Sequence, residues 1–228
     1  MADFKTHVSF GIALGILGVI GSISTALGGG SAELLALFIA ATLGSILPDI
    51  DSDSGIPFHT VFGSLSLIFG TLTLIDLSRQ ATLSLSSVLI RSAGVSLFVW
   101  LIVGTIFKHF TKHRGMAHSI PGAVLSGLVA FFIASSAHFS EKEAFIIGNF
   151  VLLGYLIHLL LDEMYAAVNF DGIPFIPKHS LGTAMKLFSH SFTLNVILYG
   201  VIASLCIGNL EKFTLLSHDI WSEIQYRK

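Results

Sequence analysis

Long apolar segments separated by short polar links dominate this chain. We place these segments at about 8–27, 33–47, 61–77, 87–107, 120–137, 144–161 and 192–208. A helix needs about 20 residues to cross the hydrocarbon core of a bilayer. The first and fourth segments meet that length, four others approach it, and the second is short. The pattern predicts an all-α, polytopic membrane protein with about seven apolar helices, some of them short or re-entrant.

Composition supports a lipid environment. The chain has 228 residues, of which 53% are hydrophobic and 11% are charged, whereas about 25% of residues in a soluble domain are charged. The net charge of −2 gives no electrostatic surface for nucleic acid, so we expect no such partner. One cysteine excludes a disulfide framework. We predict a single membrane-embedded domain over 1–228, with 209–228 as a polar C-terminal tail.

The most informative polar residues are His158 and Asp162, near the end of the sixth segment. Residues four apart lie on one face of a helix, so the imidazole and the carboxylate point the same way. Ionisable groups at membrane depth are costly and tend to mark function. A hydrogen-bonded pair joining two helices is the alternative, but it would contribute only about 1 kcal/mol. The pair therefore favours half of a divalent metal site.

Three carboxylates follow the second segment in LPDIDSDSG (47–55), at Asp49, Asp51 and Asp53. A cation would relieve their mutual repulsion, and carboxylate oxygens suit zinc, manganese or magnesium. A polar turn that ends a helix explains the same residues equally well. We take Asp49 and Asp51 as candidate ligands and treat Asp53 as solvated.

The link before the fifth segment contains KHRGMAHS (112–119). Gly115 allows the chain to turn, so His113 and His118 can be aimed at one centre. Arg114 could hold a phosphate or a carboxylate in a bidentate hydrogen bond. A basic loop that contacts lipid headgroups is the alternative. As a metal ligand, His118 is favoured over His113.

The polar motifs are predicted to lie on the same side of the membrane. If all seven segments cross, the three links that carry the motifs lie on the same membrane face as the N-terminus and its His7. We therefore expect one His/Asp cluster at one membrane face.

Glu163 points about 100° away from its neighbour Asp162 on a helix, so three roles remain open for it: a second metal ligand, a general base or a solvated residue. His179 and His190 are interpreted as surface histidines rather than ligands.

The ordered set T-H (6–7), L-P-D-I-D (47–51), H-R-G-x-x-H-S (113–119) and G-Y-x-x-H-x-x-x-D (154–162) resembles a bacterial family. That family is the YdjM-type, LexA-regulated, inner-membrane metal-dependent hydrolases, and the resemblance covers roughly residues 1–190. It implies a multi-pass protein of the bacterial inner (cytoplasmic) membrane. It also implies distant similarity to zinc-dependent phospholipase C, a helical phosphodiesterase with a His/Asp metal cluster.

Two departures from that wider group reduce the expected number of ions. Ala2 follows Met1, where those enzymes have an N-terminal Trp ligand, and no later His-x-x-x-Glu is present. We expect one or two divalent ions, with zinc favoured and manganese or magnesium as alternatives. The expected ligands are His7, Asp49, Asp51, His118, His158 and Asp162.

The resulting hypothesis is a membrane-bound hydrolase that acts on a phospholipid-like phosphoester through a metal-activated water. His113 and Arg114 would lie near the phosphate, and Glu163 would serve as general base. Two alternatives use the same cluster. One is an ion, proton or metal transporter, and the other is a non-catalytic membrane protein with a structural metal site.

Overall fold

The computed structural model describes residues 2–25, 30–51, 55–80, 82–106, 118–168, 182, 185–188 and 191–226. Its helices are α1 (Phe4–Thr25), α2 (Ser31–Gly44), α3 (Ile56–Ser78), α4 (Leu85–Leu97), α5 (Ile120–Ser136), α6 (Glu141–Val168), α7 (Phe192–Gly208) and α8 (Leu210–Tyr226). A 3-10 helix covers Leu47–Asp51, and a π-helical segment, Phe98–Val103, continues α4. The one β-bridge among these residues joins Ser119 to Lys186. The all-α prediction is confirmed.

The prediction of about seven apolar helices, some of them short or re-entrant, exceeds the number of described helices that can cross a membrane. Four described helices are long and apolar enough, namely Phe4–Ser24, Ile56–Ser78, Leu85–Ile106 and Glu141–Val168. The pair α7 and α8 makes a fifth span only if it is one span, bent by 64°. Helices α2 and α5 have 14 and 17 residues, which gives about 21 and 26 Å at 1.5 Å per residue. Both are shorter than the roughly 30 Å hydrocarbon core.

The chain forms two compact units. The first comprises Met1–Pro48 and His118–Lys228, and the second comprises Asp49–Ala117. One domain can contain two such units, so the prediction of a single membrane-embedded domain stays a prediction. The predicted polar C-terminal tail, 209–228, includes helix α8. Lys212 of α8 forms an ion pair with Glu141 at 2.7 Å, and Phe213 packs on Phe131.

In the first unit, α6 packs against α1, α2 and α5. Glycines let these helices approach so closely that backbone meets backbone. A Cβ atom on Gly154 of α6 would lie 2.9 Å from the backbone nitrogen of Ser45. A Cβ atom on Gly44 of α2 would lie 2.9 Å from the Cα of Val151. The crossing of α2 and α6 therefore requires glycine on both helices.

In the second unit, α3 and α4 are joined by a reciprocal pair of hydrogen bonds. Ser66 Oγ donates to the carbonyl of Ser96 at 2.9 Å, and Ser96 Oγ donates to the carbonyl of Ser66 at 3.0 Å. Both hydroxyls thus find acceptors without water, as lipid surroundings require.

Replacing Gly154 with alanine tests the close crossing of α2 and α6. The added methyl group collides with backbone that cannot rotate away, so we expect a loss of about 1–3 kcal/mol in the free energy of unfolding. Thermal unfolding of the protein in detergent measures it. Gly200→Ala in α7 is the matched control, because a Cβ atom there meets nothing within 4 Å. Equal unfolding temperatures for both variants would contradict the crossing.

Candidate metal centre

The candidate site lies where four helix ends of the first unit meet. His7 is in the first turns of α1, Ser45 caps the C-terminus of α2, and His118 stands two residues before α5. His158 and Asp162 come from the last turns of α6. Because α1 and α5 begin at the end of the unit where α2 and α6 finish, residues distant in sequence meet there.

The carboxylate of Asp162 is the centre of this group and is only 2% exposed. Its Oδ1 lies 3.3 Å from Nε2 of His7, and its Oδ2 lies 3.6 Å from Nε2 of both His118 and His158. The backbone N–H of Ala2 donates a hydrogen bond to Oδ1 at 2.9 Å. One buried carboxylate thus faces three imidazoles.

The imidazole rings lie close to one another as well. Those of His7 and His158 are stacked, with centroids 3.6 Å apart and planes 13° apart, and His118 lies edge-on to His158 at 5.5 Å. Two cationic rings would repel each other strongly at the stacking distance. The arrangement suits neutral imidazoles, the form in which histidine binds metals.

The ligand atoms fit a divalent ion. Ligands about 2 Å from a tetrahedral ion lie about 3.3 Å from one another, whereas N–H···O hydrogen bonds measure about 2.7–3.2 Å. The separations of 3.3 and 3.6 Å match the first arrangement better. His7, His158 and Asp162 each offer one ligand atom, and these atoms lie within 4.8 Å of one another.

Hydrogen bonding supports the same conclusion. Both ring nitrogens of His7 and Oδ2 of Asp162 are buried and make no hydrogen bond within the described part of the chain. Buried polar atoms nearly always have a partner, and a bound ion is one explanation where protein supplies none. The chain therefore contains groups that could hold a metal ion, with His7, His158 and Asp162 as its core.

A backbone carbonyl fixes the orientation of His158. Nδ1 of His158 lies 2.7 Å from the carbonyl oxygen of Ser45. A carbonyl only accepts, so Nδ1 carries a proton, and in a neutral ring Nε2 then presents its lone pair toward Asp162. Ser45 is held in turn, since its Oγ donates to the Thr42 carbonyl at 2.8 Å and Gly11 leaves room for its side chain. Such contacts set the tautomer and angle of metal-binding histidines.

Asp3 positions His7 by capping α1. Its carboxylate accepts hydrogen bonds from the backbone N–H of Thr6, at 2.9 Å, and from the Thr6 hydroxyl. Those two bonds lower the pKa of Asp3 below its usual value. The N–H of His7 also donates to the Asp3 carbonyl at 3.2 Å. The cap thus fixes the helical turn that carries His7.

Four of the six expected ligands lie together here, namely His7, His118, His158 and Asp162. Asp49 begins the second unit, within the 3-10 helix, and its role as a ligand stays a prediction. The side chain of Asp51 lies outside the described residues, as do Asp53, His113, Arg114, His179 and His190.

Glu163 points to a different part of the chain. Its carboxylate accepts a hydrogen bond from the backbone N–H of Gly182, in the long link after α6. The hydrogen bond attaches this link to the end of α6, whereas a role as general base stays a prediction. The sequence does not single out Ala2 and Ser45, because they contribute main-chain groups, which every residue has.

Asp162→Asn tests the metal site with little change of shape. Zinc at 100 times its Kd would stabilise the wild type by about 2.7 kcal/mol, or roughly 5–10 °C in Tm for a chain of this size. We expect Asp162→Asn to abolish most of this shift and of the bound zinc, measured by elemental analysis. The exposed Asp219→Asn is the control. A wild type that neither binds zinc nor gains stability from it would contradict the site.

Gly11→Ala tests whether Ser45 positions His158. The added methyl group would lie 2.8 Å from Cβ of Ser45, so Ser45 must shift and its carbonyl with it. We expect zinc affinity to fall by about 10–100-fold, as for other groups that support metal ligands. Gly21→Ala, on the same helix, adds a Cβ atom with nothing within 4 Å and should keep the wild-type affinity. Unchanged affinity in Gly11→Ala would rule out this role of Ser45.

Comparison with known proteins adds the family. The family model described as YdjM inner membrane protein matches residues 1–216. Searches of curated proteins and of solved structures gave no match. The expected similarity to zinc-dependent phospholipase C is not shown by these comparisons. With nearly the whole length matched, this chain belongs to the YdjM family of inner-membrane proteins.

Proposed function

We propose that this protein is a membrane-bound, metal-dependent hydrolase that acts on a phosphoester of a lipid. The observation that carries the proposal is the buried Asp162 carboxylate, which faces three imidazole Nε2 atoms at 3.3–3.6 Å. Such a set of neutral nitrogen and carboxylate donors suits zinc. A divalent ion in this position would supply a Lewis acid, lowering the pKa of a bound water molecule to about 7 and stabilising charge on a phosphoryl oxygen.

Burial differs among the proposed ligands and suggests the side of access. His7, His158 and Asp162 are all nearly inaccessible, whereas His118 is 16% exposed. The buried three are fixed by α1 and α6, and His158 is further fixed by Ser45. In the proposal the substrate phosphate approaches from the side of His118. Arg114 and His113, which are predicted to lie near the phosphate, come shortly before His118 in the sequence.

The level of the site in the membrane favours a lipid substrate. His158 lies 17 residues beyond Glu141, the first residue of α6, or about 26 Å along the helix at 1.5 Å per residue. A span that enters lipid near Glu141 therefore brings His158 and Asp162 close to the opposite boundary of the roughly 30 Å core. Phosphoesters of membrane lipids lie at that level, so the substrate need not leave the bilayer.

An ion, proton or metal transporter is the second candidate, and the burial of Glu33 favours it. Glu33 is a buried carboxylate near the start of α2, whose other end reaches the site at Ser45. Twelve residues separate the two positions, or about 18 Å along the helix. A relay through the bilayer needs ionisable groups at several depths. Proton or zinc flux in reconstituted vesicles that is lost in Glu33→Gln, without any hydrolysis, would favour this candidate.

His158→Ala tests the hydrolase. Removing one ligand and its orientation should lower kcat/KM for a phosphodiester by at least about 100-fold, measured on purified protein with zinc or manganese added. His218→Ala removes an exposed histidine from α8 and is the matched control. Thermal unfolding in EDTA shows whether His158→Ala still folds. Metal-loaded wild type without phosphoesterase activity, or His158→Ala with wild-type activity, would remove the proposal.

A further inference from the structure

We infer that the segment 185–188 forms an apolar rim beside the metal centre, which takes the acyl chain of a membrane-resident substrate. The inference rests on the proposed function and extends it to the residues that select a lipid over a water-soluble phosphoester. The segment belongs to the long link between α6 and α7.

The rim is attached to the residues next to His118. Ser119 and Lys186 form a parallel β-bridge, and the N–H of Ile120 donates to the Lys186 carbonyl at 3.0 Å. In the register of this bridge, Met185 stands alongside His118. His118 is in turn the most exposed of the four histidine and aspartate side chains at the site. Any substrate that approaches from this side passes the rim.

A second attachment joins the rim to α7. The hydroxyl of Tyr199 donates to the Leu187 carbonyl at 2.9 Å, and the ring of Phe188 lies 5.6 Å from that of Tyr199. With Ile120 on one side and Tyr199 on the other, the backbone of the segment is held from both sides. Its side chains are therefore presented in defined positions next to the site.

Those side chains are large, apolar and exposed. Met185 is 42% exposed, Leu187 is 53% exposed and Phe188 is 66% exposed, and Phe192 at the start of α7 is exposed as well. Apolar surface costs about 25 cal/mol per Å² in water, and a continuous patch of it usually marks a site of interaction. In an inner-membrane protein, the available apolar partner is hydrocarbon.

Charge supports an interfacial position for the rim. Lys186 stands between Met185 and Leu187, with its side chain half-buried. Lysine at the edge of a membrane buries its methylene stem among apolar groups and directs its ammonium group to the headgroups. A lipid at the rim would thus place its acyl chain on Met185 and Leu187 and its phosphoester toward His118.

The double variant Met185→Ser/Leu187→Ser tests the rim with two substrates. In reconstituted vesicles we expect kcat/KM for a long-chain phospholipid to fall by about tenfold or more, mainly through KM, because two apolar contacts are lost. Hydrolysis of the water-soluble bis(p-nitrophenyl) phosphate should remain within about twofold of wild type, since the metal ligands are unchanged. Ile207→Ser/Leu210→Ser changes two exposed apolar residues, one near the end of α7 and one at the start of α8, and should leave both activities unaltered.

The outcomes distinguish a failure of this inference from a failure of the proposed function. Normal hydrolysis of the soluble diester with undiminished lipid hydrolysis in the double variant overturns the inference alone. Equal losses on both substrates also overturn it, since a selective rim cannot act on a substrate without acyl chains. Wild type that hydrolyses neither substrate removes the proposed function and this inference with it.

A spin label at position 187 provides a readout that does not need activity. With Leu187→Cys in a Cys206→Ser background, collision with oxygen should exceed collision with a water-soluble nickel complex, because oxygen concentrates in lipid. A label that collides mainly with nickel would place the rim in water and overturn the inference.

Discussion

The burial of one carboxylate among the ends of membrane helices is the constraint on which this structure depends. An unpaired charge in a medium of low dielectric constant costs several kcal/mol or more, so Asp162 must be compensated by the groups around it. The Ala2 N–H and the three imidazoles come from different parts of the chain. The Ala2 N–H supplies part of the compensation, and a divalent cation held by Asp162 and the imidazoles would supply the rest. Either way, α1, α6 and the residues before α5 must meet at Asp162.

Glycine packing is what brings the supporting groups within reach. The carbonyl of Ser45 contacts His158 at 2.7 Å only because α2 crosses α6 at Gly44 and Gly154. A wider crossing, as larger side chains would impose, would withdraw this acceptor and free the imidazole to change tautomer. The close packing of the helices thus determines the geometry of the site. Although α2 is too short to span the membrane, the carbonyl at its C-terminus still contacts His158.

Sequence patterns predicted the helices and the side chains of the site better than its supporting contacts. Apolar length identified the helical segments, and ionisable residues in apolar surroundings identified His158 and Asp162, because both signals rest on the cost of charge in lipid. Apolar runs indicated about seven helices, some of them short, and the described helices long enough to cross number four, or five if α7 and α8 form one span. The helical form of residues 210–226 was not predicted, because its apolar residues are spaced among polar ones and form no continuous apolar run. The sequence does not show that the Ser45 carbonyl contacts His158, or that Glu163 accepts a hydrogen bond from Gly182. Both contacts depend on the three-dimensional path of the chain.

The same geometry would suit the proposed hydrolase to a site inside the membrane. Ionisable side chains gathered at the ends of α1, α5 and α6 leave the lipid-facing lengths of those helices apolar. Most of the cost of burying these His and Asp side chains then falls at one level, close to where phosphoesters of lipids lie. An apolar rim held beside His118 by Ile120 and Tyr199 would let a lipid move sideways into such a site with its acyl chain still in hydrocarbon. Under this arrangement the substrate keeps most of its hydrophobic contacts, so little of its binding energy is needed to extract it from the bilayer.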